Sequence, residues 1–268
     1  LVPIVANIFL SFTDYDLNSL GFIGLKNYQN LLRDSIFLTS LKNTLIYTIF
    51  TLSLTIVLGL FVAVALNKNL RGVKFFRTAF FIPYVTSMAA ASMIWLWMYE
   101  PSHGIFNKII ALFNISPKNW LYDYKLALGS IILISIWKFI GYNMVIYLAG
   151  LQGIPASIYE AATVDGASSI HKFRHITIPM LRPVTFFLFV TGFINNFNVF
   201  EQVNILTEGG PMNSTTTVVH QIYTRAFTDF QMGYASSITI VLIIIVAVIT
   251  LMNFKYGNQG QELDISRW

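Results

Sequence analysis

Few residues of this 268-residue chain carry side chains able to do bond-making chemistry. There is no cysteine, which excludes disulfides and thiolate metal sites. No GxxxxGK[ST] stretch occurs, and the adjacent Gly209 and Gly210 are not followed by its lysine, so no Walker-type nucleotide loop is expected. No serine stands in a GxSxG context. His171 and His175 are spaced to share one face of a helix. A metal would need more ligands than that pair, and only Asp165 is near in sequence, so a solvated basic face is the plainer expectation. These residues do not assemble an enzyme.

The remaining polar groups stand in apolar surroundings. Lys138 and Glu201 lie in long greasy stretches, where an ionisable side chain usually faces a cavity or a partner. Each can line a hydrophilic path. They can also pair with one another, or Lys138 can reach out to the membrane interface. Around Glu201 stand Asn195, Asn196, Asn198, Gln202 and Asn204. Asn195, Asn198 and Gln202 would fall on one stripe of a continuous helix, with Glu201 beside it. Amides both donate and accept, which suits a hydroxyl-rich solute; interhelical hydrogen bonding is the alternative. Trp137, Tyr142 and Tyr84, the last beside Pro83, offer aromatic faces that can stack on the apolar C–H face of a sugar ring. Packing or the membrane-interface belt is the alternative for them, and the preferred one for Trp95 and Trp97.

The elements that must position these residues follow from composition. Hydrophobic residues make up 55% of the chain and charged ones 11%, against about 25% charged in a soluble domain. With a mean hydropathy of +0.64, this predicts an all-α, polytopic membrane protein in a lipid bilayer. A span takes about 20 apolar residues. Six candidates emerge, at residues 1–12 (truncated), 43–66, 75–99 (interrupted by Pro83), 126–151, 184–206 and 234–254, forming a single transmembrane domain over 1–268. The opening run lacks both a Met and the basic flank of a signal peptide, so a short preceding segment is expected. The net charge of +5 reflects topology rather than a nucleic-acid partner. Lys68, Arg71, Lys74 and Arg77 lie between the second and third spans, Lys172, Arg174 and Arg182 between the fourth and fifth, and Lys255 and Arg267 in the tail. The positive-inside rule makes those segments, and both termini, cytoplasmic. The first and last external loops are long enough to carry short surface helices.

The polar interval 152–183 is the most informative. Pro155 can open a helix, where its missing N–H costs nothing. Gly166 breaks it, because glycine accepts positive φ. A second short helix follows, and Pro179 and Pro183 redirect the chain into the fifth span. The product is a helix–turn–helix knob whose small residues, Ala161, Ala162, Gly166 and Ala167, permit close approach by another backbone. An ordinary connection between spans is the competing expectation.

This interval, "EAATVDGASSIHKFRHITIPMLRP", resembles the EAA loop of ABC importer permeases in the register of Glu160, Ala161, Ala162, Gly166, Ala167, Ile176 and Pro179. "NTLIYT", "RGVKFFRTAFFIPYVTS", "IWKFIGYNMVIYLAGLQGIP" and "LTEGGPMNSTTT" resemble its carbohydrate-uptake branch, so the likeness covers nearly all the chain. The resemblance implies a type I ABC importer permease fold in a bacterial or archaeal cytoplasmic membrane. It implies that Tyr159, Glu160, Ala161, Ala162, Asp165, Gly166 and Ala167 couple the chain to an ATPase. It implies as partners a second six-span permease, two ATP-binding subunits, which hold the ATP and Mg, an extracellular solute-binding protein and a carbohydrate. The chain itself would carry no cofactor. Set beside the maltodextrin-permease members, Trp137, Tyr142, Tyr84, Phe197 and Asn198 match sugar-contacting positions. Met88 stands where those have a serine, Phe139 replaces a small residue, and a large external insertion is missing. These differences point away from maltodextrin but not from carbohydrate. With Lys138 and Glu201 these residues form the expected solute path. A glycerophosphate-type anion, which Lys138 could favour, is the alternative solute. An ion-driven transporter would show paired discontinuous helices in an internal repeat, and the sequence has no such repeat.

Overall fold

The computed structural model describes residues 2–68 and 71–265, so Arg267, used above for orientation, lies outside the described residues. Regular structure among them is helical, apart from one isolated bridge between Thr13 and Phe22. In chain order the helices are α1 (Val2–Leu10), α2 (Lys26–Leu31), α3 (Ser35–Leu66), α4 (Val73–Val85), α5 (Met88–Met98), α6 (Ile105–Ala111) and α7 (Ala127–Gln152). Then come α8 (Ala156–Val164), α9 (Ser169–Lys172), a π turn (Phe173–Thr177), α10 (Ile178–Met180), α11 (Arg182–Phe197) and α12 (Glu201–Leu206). The chain finishes with α13 (Val218–Tyr223), a second π turn (Thr224–Thr228) and α14 (Met232–Ile265).

Among the described residues, three helices are long and apolar enough to cross a bilayer, at Ser35–Leu66, Ala127–Gln152 and Met232–Asn253. Two bent pairs bring the number to five if each is one span: α4 with α5, bent by 100°, and Ser169–Met180 with α11, bent by 59°. The first expected span is represented by the nine residues of α1. Helix α3 starts eight residues before the expected position, and Asp34 explains the start. Its Oδ1 accepts the backbone N–H groups of Ile36 (2.8 Å) and Phe37 (3.2 Å), two of the donors a helix N-terminus leaves open. The expected interruption at Pro83 falls three residues later, at Thr86–Ser87, because Pro83 is accommodated inside α4. The expected fifth span stops at Phe197, and α12 starts only at Glu201.

The chain divides into two compact units. The first comprises Leu1–Ile49, Met88–Ile134 and Ile194–Phe254. Trp95 is 6% exposed and packs on Tyr99 and Phe106, both at 5.4 Å between ring centres, so of the two expected roles, packing or belt, it takes packing; Trp97 is exposed. Three buried asparagines pin the loops. The Asn27 amide donates to the carbonyls of Ser11 and Thr13, Asn43 to those of Asn213 and Thr216, and Asn107 to those of Pro101 and Lys118. Each amide thereby satisfies two loop carbonyls that lack partners in a helix ladder. Asp34 adds an ion pair with Arg225 at 3.3 Å and accepts the Tyr234 hydroxyl at 2.8 Å, tying the start of α3 to the start of α14.

The second unit comprises Phe50–Ser87, Ser135–Phe193 and Lys255–Trp268. Its helices approach closely at glycines. A Cβ on Gly59 of α3 would stand 2.7 Å from that of Asn143, and one on Gly141 of α7 would collide with the carbonyl of Phe80 in α4. Small residues at crossings are how helices pack where lipid offers no hydrophobic drive. Around them lies a core of Ala63, Leu66, Met144, Tyr147, Leu148, Leu151, Leu181 and Leu188. Arg77 donates to the carbonyl of Leu66 at 2.8 Å and so closes the C-terminus of α3.

Two outcomes follow. Gly141→Leu should abolish the α4–α7 approach, seen as loss of monodisperse protein in detergent, while Gly129→Leu, a position with nothing within 4 Å of an added Cβ, should not. Asp34→Ala should cost about 2 kcal/mol in thermal unfolding, from a lost cap and charged hydrogen bonds. Burial pushes the Asp34 carboxyl up, but the Tyr234 hydroxyl, the N–H groups of Phe37 and Ile36 and the Arg225 charge outweigh it and hold it below the usual range. The folded state therefore favours the carboxylate. The Asp34 contribution should be full at neutral pH and vanish as pH falls through the lowered pKa.

Candidate functional site

The end of α4 carries the first group of expected solute-path residues, all in the second unit. A helix that stops inside an apolar span leaves carbonyls without partners, at several kcal/mol each. Here Lys138, 5% exposed on α7, supplies them: its Nζ donates to the carbonyls of Pro83 (3.0 Å), Tyr84 (3.3 Å) and Thr86. The ammonium has three N–H donors and meets three carbonyls, at the negative end of a helix dipole. It is thus a buried cap rather than a side chain reaching for the interface. Thr86 Oγ1 also donates to the carbonyl of Pro83 at 2.7 Å.

That cap fixes Tyr84. Its ring stacks on Tyr142 of α7, with centres 4.9 Å apart and planes 26° apart, and meets Phe139 edge-on at 6.2 Å. Phe139, noted for its bulk, therefore fills the flank of this aromatic wall. Trp137 lies on the same helix with 39% of its surface exposed. Met88, the first residue of α5, is half-buried and belongs to the other unit.

Phe197, Asn198 and Glu201 also belong to the first unit, and the stripe expected through Asn195, Asn198 and Gln202 does not exist. Helix α11 ends at Phe197. Its last turn tightens, with the Asn198 and Val199 N–H groups reaching the carbonyls of Asn195 (3.2 Å) and Asn196 (3.3 Å). Thr217 then takes the carbonyl of Val199 at 2.9 Å, which holds the break open. Phe197 is fully buried and supports the break from within, whereas Asn195 and Asn198 are exposed. Asn196 and Gln202 are buried, and Gln202 donates to the Tyr47 hydroxyl at 2.8 Å, a packing role. Glu201 is exposed at the start of α12, where its charge suits the helix dipole.

Sequence reasoning missed the residues that hold this break. Thr215, Thr216 and Thr217 are fully buried. Thr217 binds Val199, Thr216 contacts His220 and accepts from Gln221, and Asn43 reaches across from α3. A run of three threonines after Gly-Gly-Pro reads locally as a polar loop, so nothing in the sequence signals their burial.

The polar hairpin matches its expectation closely. Pro155 caps α8, Gly166 takes φ +74°, and Ser168 caps α9 by accepting the His171 N–H. Glu160, Ala161, Asp165 and Gly166 are exposed; Tyr159, Ala162 and Ala167 are half-buried. His171 and His175 do share a face, their rings stacked at 4.1 Å. With Asp165, Gly166, Ala167 and Ser168 they line a hollow of about 530 Å³. Among the described residues no group of three or more His, Asp or Glu stands where it could hold a metal ion.

Comparison with known proteins places this architecture. Residues 55–257 match the family model of binding-protein-dependent transport system inner membrane components. The chain is 36% identical over 263 residues to the arabinooligosaccharides transport system permease protein AraP of Bacillus subtilis (strain 168), covering 96% of this chain and 83% of that one. It is 35% identical over 241 residues to the sn-glycerol-3-phosphate transport system permease protein UgpA of Agrobacterium fabrum, covering 89% and 81%. A probable ABC transporter permease protein of Pyrococcus horikoshii is 35% identical over 97% of this chain and 90% of its own length. The fold is that of a chain in the crystal structure of a bacterial ABC transporter that imports the acidic polysaccharide alginate, with a TM-score of 0.87, 21% identity, and coverage of 96% of this chain and 89% of that one. ATP chemistry in such a transporter belongs to separate ATPase partners, and the permease carries no cofactor of its own. The chain belongs to the binding-protein-dependent transport system inner membrane components, and is the non-catalytic, multi-pass permease of an ABC importer.

Proposed function

We propose that this permease imports a neutral carbohydrate, an oligosaccharide, into the cytoplasm of a bacterium or archaeon by alternating access. The observation that carries the choice of solute is the capped aromatic wall. Tyr84 and Tyr142 present stacked ring edges and faces of the kind that meet sugar C–H surfaces. Lys138, the residue that could have favoured an anion, directs its three N–H donors at the carbonyls of Pro83, Tyr84 and Thr86. Likeness to AraP supports an oligosaccharide. Likeness to UgpA at similar identity supports a second reading, sn-glycerol 3-phosphate.

In this proposal a second six-span permease completes the membrane path, two ATPase subunits grip the hairpins, and a solute-binding protein delivers the sugar outside. The alginate importer has been crystallised with a periplasmic protein carrying an alginate pentasaccharide, a precedent for that delivery. The hairpin 152–183 and both chain ends lie in the cytoplasm. Tyr84, Met88, Trp137, Tyr142, Asn198 and Glu201 serve the solute. Lys138 and Phe197 serve it by holding Tyr84 and Asn198 in place. Glu160, Ala161, Ala162, Asp165, Gly166 and Ala167 meet the ATPase.

The complete transporter in proteoliposomes should accumulate labelled arabinotriose and not sn-glycerol 3-phosphate; the opposite preference would sink the carbohydrate reading. Trp137→Ala and Asn198→Ala should each reduce uptake about three- to tenfold, the worth of one aromatic contact or one hydrogen bond, with normal subunit assembly. Gly166→Val places a branched side chain at φ +74°, and Glu160→Ala removes an exposed acid of α8. Both should leave ATPase activity running while solute moved per ATP falls at least tenfold.

A further inference from the structure

The coupling hairpin is a lever with two arms, α8 on one side and α9 to α10 on the other, meeting at Gly166. A lever hinged on glycine would fold on itself under load unless its arms were tied. Tyr159, expected among the residues that couple the chain to an ATPase, turns its side chain toward the protein. Its ring is half-buried against the core around Met144 and Leu181. Its hydroxyl lies 2.9 Å from Thr177 Oγ1, joining residues eighteen apart. Thr177 is 5% exposed. Its hydroxyl has one proton, and the carbonyl of Lys172, at 3.4 Å, is in position to take it. Thr177 Oγ1 is then left to accept the Tyr159 proton.

The place of this bond matters. Lys172 and Thr177 bracket the π turn Phe173–Thr177, a wider turn that is tolerated mainly where function or packing requires it. Phe173 in that turn stacks on Phe61 of α3 at 6.2 Å. Leu181, just beyond it, is 1% exposed, and a Cβ on Gly150 of α7 would stand 2.8 Å from its Cδ2. The second arm is thereby seated on α3 and α7 and runs on into α11. A second tie, from Lys172 Nζ to Thr163 Oγ1 at 2.7 Å, is exposed and so weak. The partly buried Tyr159–Thr177 bond is what fastens the first arm to that base.

We propose that Tyr159 is a positioning residue for coupling. Its hydrogen bond to Thr177 makes the hairpin one rigid body, so that a displacement at the tip reaches α11 instead of being absorbed at Gly166. This rests on the coupling role proposed above. In the complete reconstituted transporter, Tyr159→Phe and Thr177→Val each remove one side of the bond. The readout is solute moved per ATP hydrolysed, using arabinotriose or sn-glycerol 3-phosphate, whichever the unmodified transporter accumulates. That ratio does not change when fewer molecules fold. Each variant should assemble and hydrolyse ATP within about twofold of normal while the ratio falls about three- to tenfold. The double variant should be no worse than either single one, because both changes remove the same bond. An unchanged ratio in both single variants, or single losses that multiply in the double variant, would overturn the strut. An unchanged ratio for Tyr159→Phe beside an impaired Gly166→Val would remove the strut alone, whereas an unimpaired Gly166→Val would remove the coupling role itself.

Discussion

Inside an apolar span there is no water to satisfy a backbone carbonyl, so every interruption of a helix must be closed by the protein. Much of this molecule's polar content is explained by that requirement. The break after α4 exists because Lys138 takes the carbonyls of Pro83, Tyr84 and Thr86. The break after α11 exists because Thr217 takes the carbonyl of Val199 and the last turn tightens onto Asn195 and Asn196. The end of α3 is closed by Arg77 on Leu66. An unbroken helix keeps its carbonyls occupied along its own axis; the break after α4 sets Tyr84 against Tyr142, and at the break after α11 the Asn198 amide donates back to the carbonyl of Ile194 at 2.9 Å.

The same logic governs the loops. Asn27, Asn43 and Asn107 each donate to two carbonyls, and each is nearly fully buried. A buried amide with both protons engaged stabilises; one left half-satisfied would cost about 1–3 kcal/mol. The loops they hold are therefore defined structures. The threonine run 215–217 completes this on the segment before α13. In the second unit, rigidity comes instead from backbones brought together at Gly59 and Gly141 and from side chains of Leu181 and Val184 packed on Gly150, which leaves the hairpin seated on close-packed helices.

The hairpin was legible in the sequence because its determinants are local. Pro155, Gly166 and Ser168 each act within a turn or two of where they stand, through a fixed φ, a permitted positive φ and a capping hydroxyl. The long apolar helices were legible for a similar reason, since length and composition suffice. The inner ends of the broken helices were not. Pro83 suggested a break at its own position, but the end of α4 is set by Lys138, more than fifty residues away. Asn195, Asn198 and Gln202 looked like one stripe because helical periodicity assumes continuity, and a threonine about twenty residues on removed it. Trp95 could be read as either a packing or a belt residue, because its partner Phe106 lies in another helix.

The sequence by itself therefore determined the class of molecule, an all-helical membrane permease, and the form of its polar hairpin, since hydrophobic length and turn chemistry are properties of neighbouring residues. Only the tertiary structure decided what the polar residues do. A lysine in a span can line a path, pair or cap, and the choice depends on which carbonyls the fold brings within 3 Å or so of its nitrogen. A tyrosine in the hairpin can point outward or inward, and the hydroxyl of Tyr159 meets Thr177, eighteen residues on. Such roles depend on distance in space, which spacing along the chain does not encode.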